Sequence, residues 1–229
     1  MTTEVNVAIF GTNKSTIETL VKEAGFTITE RNPEIVLSFG GDGTLMRSEV
    51  AFPGVPKVAL RDSSICKKCS ALPNEEILKQ LAKGEYTKET LFKLEARAKG
   101  KELVGLNDII VHNKDPRHGI RYHLSVNRRD IGHEIVGDGI VVATPFGSTG
   151  YFRSITDSFF EIGIGIAFNN STERFDHMLV GEESIIEMSI TRGPAVVYAD
   201  NHEDSIELLP GDKVTIQKSS HLAVILTPR

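Results

Sequence analysis

Apolar and polar positions follow two different rhythms along the chain. Up to about residue 90, short apolar runs alternate with stretches of helical period. "VNVAIFG" (5–11), "EIVLSF" (34–39) and "PKVALR" (56–61) are runs of the kind a sheet buries on both faces, and "FTITE" (26–30) is a short alternating strand. "KSTIETLVKEAG" (14–25) predicts a helix with Ile17, Leu20 and Val21 on one face, Ser15 and Glu18 at capping-box spacing, and Gly25 as its stop. A second helix is predicted from about Thr44 to just before Pro53. A third covers "PNEEILKQLAKG" (73–84), with Pro73 near its start and Gly84 at its end.

Beyond about Thr90 the helical period fades. "ETLFKLEARAKGKELVGLNDIIVHN" (89–113) reads as two strands joined at "KGK", and "IRYHLSVNRRDIGHEIVGDGIVVATP" (120–145) as three more separated by turns. "EIGIGIAF", "SIIEMSITR", "AVVYAD" and "KVTIQKSSHLAVIL" are further strands, and only "GSTGYFRSI" (147–155) looks briefly helical. The expected fold is an α/β N-terminal domain, an open Rossmann-like sheet over residues 1–90, followed by an all-β sandwich-like domain over 91–229. The last strand is free to return to the first domain, and no Pro/Gly-rich linker marks the join.

Charge narrows the function classes. The net charge of −5 argues against broad electrostatic binding to nucleic acid or an anionic membrane. No apolar run approaches the roughly 20 residues of a membrane helix. The start, "MTTEVNVAIFGTN", enters a strand pattern without a basic region or cleavage site, so a cytoplasmic location is expected. The two cysteines, Cys66 and Cys69 in "ICKKCS", are expected to be ordinary reduced thiols; a redox pair or half of a zinc site are the alternatives. No second CxxC or spaced His pair completes a zinc set.

Two stretches carry candidate chemistry. "FGGDGT" (39–44) follows an apolar strand and opens a helix, where Gly40, Gly41 and Gly43 would leave backbone amides open to a phosphate. Asp42 among them is a carboxylate in a place suited to anions, which suggests a cation, a substrate hydrogen bond or a proton as its partner. In "GDGIVVATPFGSTGY" (137–151), a strand stops at Pro145 and opens into a small-residue turn, where Thr149 and Tyr151 offer a hydroxyl and an aromatic face. Taken alone, the "GDG" around Asp138 reads as a type I′ hairpin turn.

Together these stretches resemble the paired signatures of the NAD kinases. "LNDIIV" (106–111) is similar to that family's Asn-acidic motif, and "VVYADNHEDSIELLPGDKVTIQKSS" (196–220) to its closing hairpins. The resemblance covers roughly residues 5–226. It implies transfer of a phosphoryl group from ATP, or polyphosphate, to the 2′-hydroxyl of the adenosine ribose of NAD, with Mg2+ held through the phosphates. By motif position, Asp42 would be base or orienting group, with Gly40, Gly41, Gly43 and Thr44 cradling phosphate. Arg47, one turn on, is a candidate phosphate contact. Asn107 and Asp108 would hold the adenosine and ribose, and Thr149, Gly150, Tyr151 and Ser154 would line the adenine pocket. Asp138 would face the nicotinamide part, and Asp200 matches a late acidic residue near the site. A homodimer or homotetramer is implied.

The chain departs from the family pattern where "RDSSICKKCSAL" replaces a Gly-rich segment and where "FRSITDSFFEIGIGIAF" replaces a small-residue one. Asp108 stands for the usual Glu, and Gly150 for the usual Ala. The rival readings are a superfamily kinase with another hydroxyl acceptor and a non-catalytic dinucleotide-binding regulator. His112, His118, His123 and His133 lack ligand spacing and read as surface or strand positions. Arg128 and Arg129 read as a solvated hairpin turn.

Overall fold

The computed structural model describes residues 5–62 and 66–229. The chain divides into two compact units: an α/β unit of residues 1–91 with Leu222–Arg229, and a β unit of Phe92–His221.

The α/β unit holds strands β1 (Asn6–Phe10), β2 (Thr27–Ile28), β3 (Ile35–Gly40) and β4 (Lys57–Arg61), with helices α1 (Glu18–Glu23), α2 (Asp42–Ala51) and α3 (Asn74–Lys83). The strands pair in parallel in the order β2-β1-β3-β4, and the end of the C-terminal strand lies beside β4, with Ile225 opposite Lys57. Alternate side chains face opposite sides, as the pleat requires. Val7, Ile9, Ile35, Leu37, Val58 and Leu60 share a core with Val21 of α1 and Leu78 of α3. Ser38 points the other way, and its hydroxyl lies 2.6 Å from that of Ser48 on α2. Helices therefore cover both faces. The winding reverses between β1 and β3, and in such sheets the crevice outside the carboxyl ends of those strands receives ligands. Buried Lys57 anchors α2 from β4: it pairs with Glu49 and donates to the carbonyls of Phe52 (2.5 Å) and Val55 (2.7 Å).

The β unit is built from β5 (Tyr86–Ala98), β6 (Lys101–Gly105), β7 (Asp108–Asn113), β8 (Ile120–Val126), β9 (Arg129–Gly137) and β10 (Gly139–Ala143). A short helix α4 (Tyr151–Thr156) precedes β11 (Ile164–Asn169), β12 (His177–Val180), β13 (Ile186–Arg192), β14 (Ala195–Ala199), β15 (Ile206–Leu208) and β16 (Lys213–Pro228). β5 and β16 run through the division between the units. One antiparallel set runs β16-β13-β8-β9, with β5 paired to β16 and β6; the other sheet runs β12-β11-β10-β7-β14-β15. Inward residues of both, including Tyr122, Leu124, Met188, Ile109, Ile140 and Val197, form one core. β8 alternates as expected of a sheet with one wet face, with His123 and Arg121 outward. β10 is buried throughout, because Val141 and Ala143 pack against Phe152 of α4 and Phe160.

Several expectations change. The Ser15–Glu18 capping box does not form: residues 14–16 make a 3-10 turn, Ile17 caps α1 without a side-chain bond, and the Thr16 hydroxyl donates back to the Asn13 carbonyl. Helix α2 begins at Asp42 rather than Thr44, because Gly41 takes the extended N-cap conformation. "GDG" is not a hairpin: β9 pairs with β8, whereas β10 pairs with β7 and β11 in the other sheet. The strand read through "ELVGLNDIIV" breaks in the same way, with β6 joined to β5 and β7 to β10 and β14. β12 and β15, of four and three residues, are further strands that the apolar pattern does not single out. The "NRRD" turn is a hairpin, with Asn127 (φ 52°) and Arg128 (φ 64°) left-handed. No helix among the described residues is long and apolar enough to cross a membrane.

Candidate active site

In the α/β unit the candidates sit at the carboxyl end of β3. Gly40 is glycine for a packing reason: a Cβ there would lie 2.2 Å from the Thr44 hydroxyl oxygen. Thr44 thus faces the strand it follows. Asp42 opens α2, and its carboxylate closes against the segment replacing the family's Gly-rich one. Oδ2 accepts from the Lys67 amide (3.1 Å) and Oδ1 from the Lys68 amide (2.9 Å). Cys66 and Cys69 are joined as a disulfide, contrary to the expected free thiols. Its sulfurs rest on the same corner, Cys66 Sγ 3.3 Å from Asp42 Oδ1 and Cys69 Sγ 3.8 Å from the Gly40 carbonyl. The spacing of three suits closure across one turn, but sequence spacing says nothing of oxidation. Burial pulls the Lys68 ammonium below its ordinary range, against the opposing pull of Asp42.

Arg47 is exposed on α2 and lines an open cavity of about 550 Å³ with Gly11, Thr12 and Lys14, beyond the end of β1. Gly11 lets that turn pass close to β3, since a Cβ would lie 2.1 Å from the Phe39 carbonyl oxygen. The Lys14 ammonium also meets Glu30 at 2.9 Å. Sequence reasoning missed Gly11, Thr12 and Lys14; the glycine that ends "VNVAIFG" was the available signal.

In the β unit the candidates gather where strands change sheets. Between β6 and β7, the Asp200 carboxylate accepts from three successive amides, of Leu106 (2.6 Å), Asn107 (2.8 Å) and Asp108 (3.1 Å). Asp200 is left-handed (φ 44°) and returns its own amide to the Asp108 carbonyl. Asp200 thereby shapes the Asn107–Asp108 turn. Thr144, which the sequence reading passed over, fixes the turn from the other side: its amide donates to the Asn107 carbonyl and its hydroxyl to that of Leu106 (2.7 Å). Gly147 lies flat on Asn107, joining two motifs separated by some forty residues of sequence.

Among the described residues, Asn107 Oδ1 is buried without a hydrogen-bond partner. Such an acceptor is costly unless a ligand donates to it. Burial, reinforced by the negative charge of Asp200, pushes the Asp108 carboxyl up to about 7. Burial also raises Asp200, in spite of its three amide bonds.

Tyr151 and Ser154 lie on α4, which starts at Tyr151, four residues after Gly147. Ser148 is buried and structural, its hydroxyl donating to the carbonyls of Pro145 or Phe160. Ser154 donates to the Tyr151 carbonyl (2.7 Å) on the exposed side of the helix. Thr149 is partly exposed and Gly150 exposed at the same turn. The Tyr151 hydroxyl accepts from the Asn169 amide group (3.0 Å), which also lies 3.1 Å from His112 Nε2. His112 Nδ1 faces the Asn113 carbonyl at 3.1 Å, so a neutral ring donating from Nδ1 and accepting at Nε2 satisfies both contacts. His112 is therefore a network member, unlike His118, His123 and His133, which are exposed. Asp138 is gripped by Asn113 (3.0 Å) and Asn170 (3.1 Å). The asparagines of "FNN" and "VHN" were the missed signal: amides at strand ends beside "GDG". Among the described residues no three acidic, histidine or cysteine side chains form a metal site.

Residues 106–227 match the ATP-NAD kinase C-terminal domain family. An NAD kinase of Sulfurisphaera tokodaii is 32% identical over 142 residues, 61% of this chain and 55% of that protein. The chain thus matches just over half the length of this relative. An NAD kinase of Alcanivorax borkumensis is 29% identical over 213 residues, 85% of this chain and 69% of that protein. Among solved structures, an NAD kinase from Archaeoglobus fulgidus in complex with ATP superposes with a TM-score of 0.78 at 23% identity, over 97% of this chain and 93% of that one. Yeast NADH kinase complexed with NADH gives 0.85 at 14% identity, over 99% and 84%. These two likenesses speak for the fold, an α/β domain followed by a β-sandwich. The family match takes in more than half of the chain, and the chain belongs to the NAD kinase family.

Proposed function

We propose that this chain is an NAD kinase, transferring a phosphoryl group from ATP to the 2′-hydroxyl of the adenosine ribose of NAD. The observation that carries the reading is the buried, unpartnered Asn107 Oδ1 on a turn fixed by Asp200, Thr144 and Gly147. A nucleoside offers amino and hydroxyl donors to such an acceptor. Asp108 beside it takes part with the ribose, and Thr149, Gly150, Tyr151 and Ser154 line the adenine side. Asp138, oriented by Asn113 and Asn170, faces the nicotinamide part.

In the α/β unit the phosphates lie against the turn at Gly40, Gly41, Gly43 and Thr44, with Arg47 and Lys14 offering positive charge. Asp42 accepts the proton of the attacking hydroxyl or orients it. Phosphoryl transfer needs positioning and charge neutralisation more than covalent help, so a carboxylate and preorganised donors suffice. Mg2+ would be held through the donor's phosphate oxygens and water, to which such hard cations bind; among the described residues no three-ligand cluster is found. When bound it would neutralise the phosphate charge. The protein is proposed to act in the cytoplasm as a homodimer or homotetramer, which a light-scattering mass checks.

The test is NADP formation from NAD, Mg2+ and ATP, with polyphosphate as a second donor. Asp42→Ala is expected to lower turnover by about 10²-fold or more. Asn107→Ala is expected to act mainly on the KM for NAD. Wild-type protein that binds NAD but makes no NADP from either donor overturns the reading.

A further inference from the structure

The Cys66–Cys69 pair stands outside the family pattern and touches the carboxylate that the proposed reaction depends on. The residues between the cysteines, Lys67 and Lys68, each donate a backbone amide to Asp42. Opening the disulfide therefore acts on Asp42 through a single turn. A loop this short removes less freedom from the unfolded chain than a long one would. Cys66 is buried and Cys69 partly exposed, so an incoming thiolate reaches Cys69 first.

We propose that Cys66 and Cys69 form a reversible redox site whose disulfide form holds Asp42 in a less active arrangement. The idea rests on the proposed kinase reading for its effect on turnover. In the closed form the turn keeps an amide on each oxygen of Asp42, and the disulfide sulfur beside Oδ1 has no proton to give. Reduction proceeds by thiolate attack from a dithiol on Cys69 Sγ. A mixed disulfide forms, the Cys66–Cys69 bond breaks, and Cys66 leaves as a thiolate that takes a proton. The second thiol of the reductant then attacks its own mixed-disulfide sulfur and releases Cys69. Two electrons and two protons pass to the protein, and the dithiol becomes a cyclic disulfide. The lysines between the cysteines place positive charge near sulfurs that must leave as thiolates. In the opened turn the Lys67 and Lys68 amides are no longer fixed on Asp42, which becomes free to accept from the substrate hydroxyl.

The test equilibrates full-length protein with set ratios of reduced to oxidised dithiothreitol. Alkylation and intact mass count the thiols, and hydrogen exchange follows the Lys67 and Lys68 amides. Reduction is expected to expose two thiols per chain and to speed exchange at both amides by roughly tenfold or more. NADP formation should rise by about tenfold, within what a freed general base supplies. Cys69→Ser should match the reduced protein at every ratio. Failure of the disulfide to form in oxidised dithiothreitol, unchanged amide exchange on reduction, or equal or lower turnover in the reduced form overturns the proposal. If neither form makes NADP, the kinase reading fails, and amide exchange alone decides whether the bond controls the turn on Asp42.

Discussion

Gly147 lies so close to Asn107 that a Cβ on it would stand 2.1 Å from the Asn107 carbonyl oxygen. The contact is with backbone on both sides, so no side-chain rotation relieves it. Gly147→Ala must push the 144–147 turn away from the Asn107 turn, a form of overpacking that costs about 1–3 kcal/mol. The expected result is a lower melting temperature and weaker NAD binding together, read by thermal unfolding and calorimetric titration. Wild-type NAD affinity in Gly147→Ala would refute the link between the two motifs.

Asp200 serves three amides at once, and its amide analogue reverses part of that pattern. In Asp200→Asn one acceptor oxygen becomes an NH2 group aimed at donors, leaving at least one buried amide unserved. A loss of roughly 1–3 kcal/mol in urea unfolding is expected. The KM for NAD should rise because Asn107 loses its support.

Asp108 gives stability a pH dependence. Its carboxyl titrates near 7 when folded, above the ordinary carboxylate range, because burial and the Asp200 charge oppose ionisation. The folded chain therefore holds a proton that the unfolded chain has released between about pH 4 and 7. Stability contributed by this proton is complete below the unfolded value and is lost as pH rises through about 7. Asp200, shifted in the same direction, adds to the trend. Denaturant midpoints measured from pH 4 to 8 should fall across that window in wild type and fall less steeply in Asp108→Asn.

The buried Glu49–Lys57 pair is expected to be sensitive to losing one partner only. Lys57→Met leaves Glu49 as a buried charge and the Phe52 and Val55 carbonyls without their shared donor. A cost of about 3–5 kcal/mol is expected. The double change Glu49→Gln with Lys57→Met should recover part of it in the same unfolding measurement.

Asp138→Ala removes the acceptor for the Asn113 and Asn170 amide groups. Affinity for NAD should drop by roughly tenfold, since two oriented amides lose their partner beside the proposed dinucleotide site. Turnover at saturating NAD should change less, which steady-state kinetics resolves.

The pattern of the sequence carried the strands and helices well where a period was long. Helix α3 reads cleanly from Pro73 to Gly84, and β8 from its alternation. It misled where a strand changes sheet, because the apolar run of "ELVGLNDIIV" continues through the break at Leu106–Asn107. What interrupts pairing there is Asp200, some ninety residues away, and no local window contains it. The same limit hid His112 and Asn169, which matter only through each other and Tyr151. The "GDG" turn failed for a related reason: two glycines around an aspartate specify a bend, not which strands flank it.

The return of Leu222–Arg229 to the α/β unit has a consequence for how the protein is made. Ile225 pairs with β4, and Leu226 joins the core of the parallel sheet. On the ribosome, the β1–β4 sheet is made before residues 222–229 and stays one strand short until the intervening β unit has been synthesised. Throughout that interval the edge of β4 is open to any extended segment nearby. The parallel sheet is therefore completed by a strand that is made only after the whole β unit.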